Sequence, residues 1–177
     1  MIIRGKGSIL RRCISALPTL FMMAVIFYFS SKTGSQSSVQ SHAVSESFLK
    51  WSAFLGALGV SEKDIPALIE TIDFFVRKLG HITEFALLTI AAYIPHALYC
   101  KDKIKRYIIA FAVCFLYAAL DEIHQIFVAD RGPSFTDVLI DCVGGLIGLG
   151  IVWIISAIVG NIRRRRKNRV KKTENDI

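Results

Sequence analysis

Asp137 and Asp141 stand four residues apart, and Gly144 and Gly148 continue the same register. On a helix these offsets share one face, so both carboxylates are expected to point the same way, beside a seam where Gly144-x-x-x-Gly148 admits a neighbouring backbone. Lys78, His81 and Glu84 are spaced by three, and Asp121, Glu122, His124 and Gln125 crowd one short stretch. Imidazole beside carboxylate is the pairing of general acid–base chemistry. His81 and Glu84 are therefore candidate catalytic groups, with Asp121 and Glu122 behind them. A set of carboxylates alone suits Mg²⁺ or Mn²⁺, which makes Asp121, Glu122, Asp137 and Asp141 candidate ligands of a divalent metal. Lys78, His81 and Arg131 can contact phosphate or carboxylate groups of a ligand. Ser134 has none of the strand–turn–helix context of a nucleophile elbow.

The same residues admit a plainer reading. Lys78 with Glu84, or Arg131 with Asp137, would make ion pairs that fix a bundle, and His81 alone would serve as a packing or hydrogen-bonding residue. Charges near a membrane surface can also snorkel into water.

The elements that must position these groups are long apolar blocks. Of 177 residues 53% are hydrophobic, and the mean hydropathy is +0.49. The apolar residues arrive in continuous runs of the length needed to cross about 30 Å of hydrocarbon, at about residues 13–30, 79–99, 107–127 and 138–159. This predicts an all-α polytopic membrane protein with four transmembrane helices and an amphipathic extracytoplasmic helical segment. Pro18 and Pro95 fall inside two of the blocks, where membrane helices tolerate proline. The first block could also be a signal peptide, but it lacks a small-x-small cleavage site. Cys13, Cys100, Cys114 and Cys142 show neither CxxC nor metal-type spacing, so they read as small packing residues.

The formal net charge is +8, concentrated at the two ends of the chain. Residues 1–12, the loop carrying Lys101, Lys103, Lys105 and Arg106, and the tail 160–177 with its Arg163–166 run are basic. The positive-inside rule puts both termini in the cytoplasm. Residues 31–78 and the 130–136 loop then face outward. Nucleic-acid binding has no further support, and the basic tail reads as a solvated segment facing lipid head groups. Within the outer segment, residues 31–47 are rich in Ser and Gln and read as a loop. Residues 48–58 and 65–76 carry apolar residues at helical spacing, as surface-lying helices do.

A rise of 1.5 Å per residue places Glu84 about 8 Å below the outer surface and Asp121 about 20 Å above the inner one. Asp141 lies about one turn inside its block, and Ser30 and Ser31 end the first block on that same side. Four helices thus deliver their polar groups to one layer. A charge in mid-membrane costs on the order of 3 kcal/mol, and the other halves of the blocks are nearly free of charge.

These residues also carry a pattern. Phe27-Tyr-Phe-Ser-Ser-Lys-Thr-Gly-Ser-Gln-Ser-Ser38 ends the first block and Arg77-Lys-Leu-Gly-His-Ile-Thr-Glu-Phe85 begins the second. Asp121-Glu-Ile-His-Gln-Ile-Phe127, Arg131, Ser134-Phe-Thr-Asp137 and Asp141-Cys-Val-Gly144 follow in order. The series resembles the VanZ-like family of bacterial membrane proteins, over about residues 21–153. The resemblance implies a small helical protein of the bacterial cytoplasmic membrane, and its founding member is associated with tolerance of the lipoglycopeptide teicoplanin. The motif positions it marks are Ser30, Ser31, Lys78, His81, Glu84, Asp121, Glu122, Gln125, Arg131, Ser134, Asp137 and Asp141. Members often carry Tyr and Asn where this chain has Phe85 and Asp141, so Asp141 adds a carboxylate.

Three functions compete. The first is a binding or modulating protein whose outer polar layer (Ser30, Ser31, Lys78, Gln125, Arg131, Ser134, Asp137 and Asp141 as ligand contacts) engages membrane lipids, a lipid-linked cell-wall precursor or a lipoglycopeptide. The second is an intramembrane enzyme on such a lipid, using a divalent metal. The third is a transporter or flippase, which the absence of an inverted repeat disfavours.

Overall fold

The computed structural model describes residues 3–54 and 65–175. Among them the chain forms five helices and no strand: α1 (Ile3–Ser30), α2 (Gly34–Phe54), α3 (Ile65–Tyr99), α4 (Lys103–Gln125) and α5 (Phe135–Asn175). Stretches of α1, α3, α4 and α5 are long and apolar enough to cross a membrane, at Leu10–Ser30, Ile69–Tyr99, Lys103–Gln125 and Phe135–Asn168. Their outward faces carry Leu10, Phe21, Leu98, Ile104, Leu116 and Trp153, all exposed. In water such a surface would aggregate; against acyl chains it is the proper exterior. The chain is an all-α, multi-pass membrane protein.

Hydrocarbon gives no hydrophobic drive for helix–helix association, so close packing and polar contacts must hold the bundle. α3 is its hub, touching α1, α2, α4 and α5, while α4 packs on α5 and α1. A Cβ added at Gly148 would meet the Ala86 carbonyl at 2.5 Å, and one at Gly144 would collide with the Ile82 carbonyl. Ile82 and Ala86 are one turn apart on α3, as Gly144 and Gly148 are on α5, so two backbones lie against each other over a full turn. Ile26, Phe85, Leu88, Cys114, Ala118, Val138 and Cys142 form the core.

Local chemistry fixes the ends of the helices. Asp102 caps α4, its carboxylate accepting from the Ile104 and Lys105 amides at 2.9 and 3.3 Å. α4 stops at Gln125, two residues short of the expected block, because a tight turn follows: the Phe127 and Val128 amides donate to the His124 and Gln125 carbonyls at 3.0 and 3.1 Å. Asp130 then takes φ 60°, a left-handed conformation that aspartate tolerates better than most residues.

Residues 31–47 correct the sequence reading. They are not a loop: from Gly34 on they belong to α2. Thr33 and Gln36 form a reciprocal capping box, each side chain taking the other's backbone amide at 3.2 Å. The serines that suggested a loop turn their hydroxyls onto their own helix. Ser38 donates to the Gly34 carbonyl at 3.0 Å and Ser47 to that of Ala43 at 2.8 Å. Docking on α3 supplies the rest, through Arg77 to Ser38 and His42 to Asp73, each at 3.2 Å. The expected surface helix at 65–76 is the first part of α3, continuous with the span at 79–99. Of the expected segment 48–58, residues 55–58 lie outside the described residues.

Candidate functional site

Four helices bring polar side chains to the end of the bundle where α1 and α4 finish and α5 begins. Ser30 is the last residue of α1, and its hydroxyl donates to Asp121 Oδ2 of α4 at 2.7 Å. Gln125, one turn on, donates to the same oxygen at 3.1 Å. All three residues are buried. α4 can place them so because its buried residues Ala110, Cys114, Ala118, Asp121 and Gln125 recur every three or four positions on one face.

α3 and α5 supply the facing groups. His81 Nδ1 lies 3.5 Å from Asp141 Oδ1, too far for a good hydrogen bond. His81, Asp121 and Asp141 each offer one donor atom within 4.8 Å of the others. Asp141 is 1% exposed, and neither of its carboxylate oxygens has a hydrogen-bond partner among the described residues. Glu84 lies one turn further along α3 and lines the same groove as His81.

The remaining expected residues have other partners. Lys78 pairs with Asp137, not with Glu84. Arg131, the other candidate partner of Asp137, makes no ion pair among the described residues. Glu122 accepts the Ser134 amide at 2.7 Å through Oε2, so a carboxylate satisfies a free N–H at the positive end of the α5 dipole. Ser31 is exposed and turns away, its hydroxyl donating to the Phe27 carbonyl at 2.6 Å and meeting His124 Nε2 at 3.1 Å. The expected metal set of four carboxylates is therefore divided: Asp121 and Asp141 come together with His81, whereas Glu122 and Asp137 are engaged elsewhere. Adjacent residues on a helix point about 100° apart, which separates Asp121 from Glu122.

Above this layer opens a groove of about 510 Å³, with Phe29, Val44 and Val76 along its apolar wall and Arg77, Arg131, His81 and Glu84 along its polar one. A smaller recess of about 220 Å³ adjoins it and is lined by Lys78, Asp130 and Asp137. Gly34 closes the rim: its amide donates to the Ala129 carbonyl at 3.2 Å, and a Cβ there would collide with the Asp130 carbonyl. Burial lowers the pKa of Arg131; the Asp121 carboxylate opposes that shift and the Arg77 guanidinium reinforces it. Two guanidiniums thus face one groove. Apart from the Arg77 bond to Ser38, neither is engaged by a side chain among the described residues. Arg77 was not among the residues marked as site candidates, although its place one turn before His81 on the same helix would have pointed to it.

Fold and site together define a helical multi-pass membrane protein with a polar chamber at one end of its bundle. The chain belongs to the VanZ/LLP1 family, whose pattern matches residues 16–156. No curated protein and no solved structure matches it.

Proposed function

We propose that this chain binds a phosphate-bearing lipid head group at the outer surface of the bacterial cytoplasmic membrane, and so modulates an envelope lipid on which lipoglycopeptides such as teicoplanin act. The observation that carries the reading is the groove of about 510 Å³ that sets two guanidiniums beside apolar side chains. A lipid head group offers the matching pair of features, an anionic phosphate for Arg77 and Arg131 and acyl chains for Phe29, Val44 and Val76. The basic α3–α4 loop and the basic end of α5 lie away from this groove. By the positive-inside rule those segments and both termini are cytoplasmic and the groove is external.

A second reading is favoured by one observation: His81 and Glu84 line that same groove, where an acid and a base would meet the head group. An enzyme acting on the bound lipid would use them. One experiment addresses both. The purified protein is placed in nanodiscs of zwitterionic lipid with a minor fraction of phosphatidylglycerol, and the lipid retained on release is identified by native mass spectrometry. Enrichment of the anionic lipid that is lost in Arg77→Ala/Arg131→Ala supports binding, and a new lipid species that disappears in Glu84→Gln supports turnover. Retention of the two lipids in their supplied ratio would count against both.

A further inference from the structure

We propose that His81, Asp121 and Asp141 form a site for one divalent transition-metal ion, Zn²⁺ or Mn²⁺, inside the bundle below the groove. Their donor atoms lie within 4.8 Å of one another. Donors around a tetrahedral Zn²⁺ at about 2.0–2.1 Å stand roughly 3.3 Å apart, so closing on the ion requires side-chain shifts of roughly 1.5 Å or less. The independent observation is Asp141. It is 1% exposed, and both of its carboxylate oxygens, together with His81 Nδ1, lack a hydrogen-bond partner among the described residues. A buried carboxylate whose facing imidazole stands 3.5 Å away without a hydrogen bond carries a desolvation cost of several kcal/mol, which a bound cation would offset.

The surroundings favour a cation. Two carboxylates share the pocket with one imidazole, Lys78 is already paired with Asp137, and the Arg131 guanidinium, which interacts with Asp121, lies in the wall of the groove. A divalent ion would add positive charge between the two carboxylates themselves. Asp121 is held as metal-ligating carboxylates are: Ser30 and Gln125 both donate to Oδ2, which fixes the side chain and, among the described residues, leaves Oδ1 without a hydrogen-bond donor. Such outer contacts orient ligands and raise affinity. The donor set of one nitrogen and two oxygens suits Zn²⁺ or Mn²⁺ better than Mg²⁺, which demands oxygen ligands in near-ideal octahedral geometry. Three protein donors leave a coordination position open, and one of the three, His81, also lines the groove. The cation site stands on these contacts alone and does not depend on the lipid-binding reading.

The test uses the full chain in detergent, stripped with chelator, dialysed and titrated with Zn²⁺ and separately with Mg²⁺. The expected result is uptake of one Zn²⁺ per chain, bound at least about tenfold more tightly than Mg²⁺, with Asp141→Asn weakening Zn²⁺ by about 10–100-fold. Modification of His81 by diethyl pyrocarbonate, read by mass spectrometry, locates the ion in the wild-type protein and needs no variant to fold. Saturating Zn²⁺ should protect His81 and leave His96, on the far end of α3, as reactive as before. No stoichiometric uptake by protein that is monodisperse and helical would overturn the proposal, as would uptake that leaves His81 unprotected.

Discussion

Ser30 and Asp121 are 91 positions apart in the chain, yet a buried 2.7 Å hydrogen bond joins them. It ties the end of α1 to α4, two helices that otherwise touch little, at the level of the polar chamber. Removing the hydroxyl leaves Asp121 Oδ2 with Gln125 as its single donor. Ser30→Ala should therefore destabilise the detergent-purified protein by about 1–3 kcal/mol, read as a lower midpoint in thermal unfolding. A double-mutant cycle with Asp121→Asn should give a coupling energy clearly different from zero; additive effects would mean that the bond contributes nothing.

The Lys78–Asp137 pair makes a prediction of opposite form. Both side chains are partly buried, at 22% and 31% exposed. Lys78→Met alone leaves Asp137 without its partner and should lower membrane abundance, at a cost below the roughly 3–5 kcal/mol of breaking a fully buried pair. Lys78→Met/Asp137→Leu removes both charges and should recover most of that abundance. A double variant no better than the single one would assign Lys78 a role beyond pairing.

The α3–α5 seam separates glycines that matter from those that do not. Gly144→Ala and Gly148→Ala drive a methyl into the Ile82 and Ala86 carbonyls and should each cost about 1–3 kcal/mol. Gly150 has nothing within 4 Å of an added Cβ, so Gly150→Ala should be neutral or slightly stabilising. Unfolding of the three variants side by side, followed by near-ultraviolet circular dichroism, checks the contrast.

Glu122 caps α5 from another helix. Glu122→Ala strands the Ser134 amide and should cost about 1–3 kcal/mol, whereas Glu122→Gln keeps an acceptor oxygen and should cost less. Equal losses would mean that the negative charge at the helix terminus, rather than the hydrogen bond, carries the effect.

For the groove, Arg131→Ala is expected to lower teicoplanin tolerance in a host expressing the chain, with normal protein abundance by immunoblot. Arg131→Lys should recover only part of it, because a lysine cannot make the paired contacts of a guanidinium. Unchanged tolerance in Arg131→Ala would separate the groove from any resistance role.

The spans were legible because lipid imposes a length and a composition that few other settings demand. The polar layer was legible because ionisable residues in apolar blocks are costly and therefore conspicuous. Pairings were not. Lys78 could have met Glu84 along its own helix, and its choice of Asp137 depends on how α5 is rotated against α3, which Gly144 and Gly148 decide. The division of the acidic set has the same origin, since helix rotation sends Asp121 inward to His81 and Glu122 toward Ser134. The first two thirds of α2 were missed for a different reason: serine composition outweighed the Thr33-x-x-Gln36 box, a genuine start signal that was present in the sequence.

The seam also orders events in time. Ribosomes deliver the helices from the amino end, so Gly144 and Gly148 emerge after α1 to α4 have been made. Until then Lys78 waits without Asp137, and His81 without Asp141. A chain halted in the α4–α5 loop would hold three spans and half a chamber, with a lysine and a histidine unanswered in the membrane. The Lys78–Asp137 and His81–Asp141 contacts thus form only once α5 has joined the bundle.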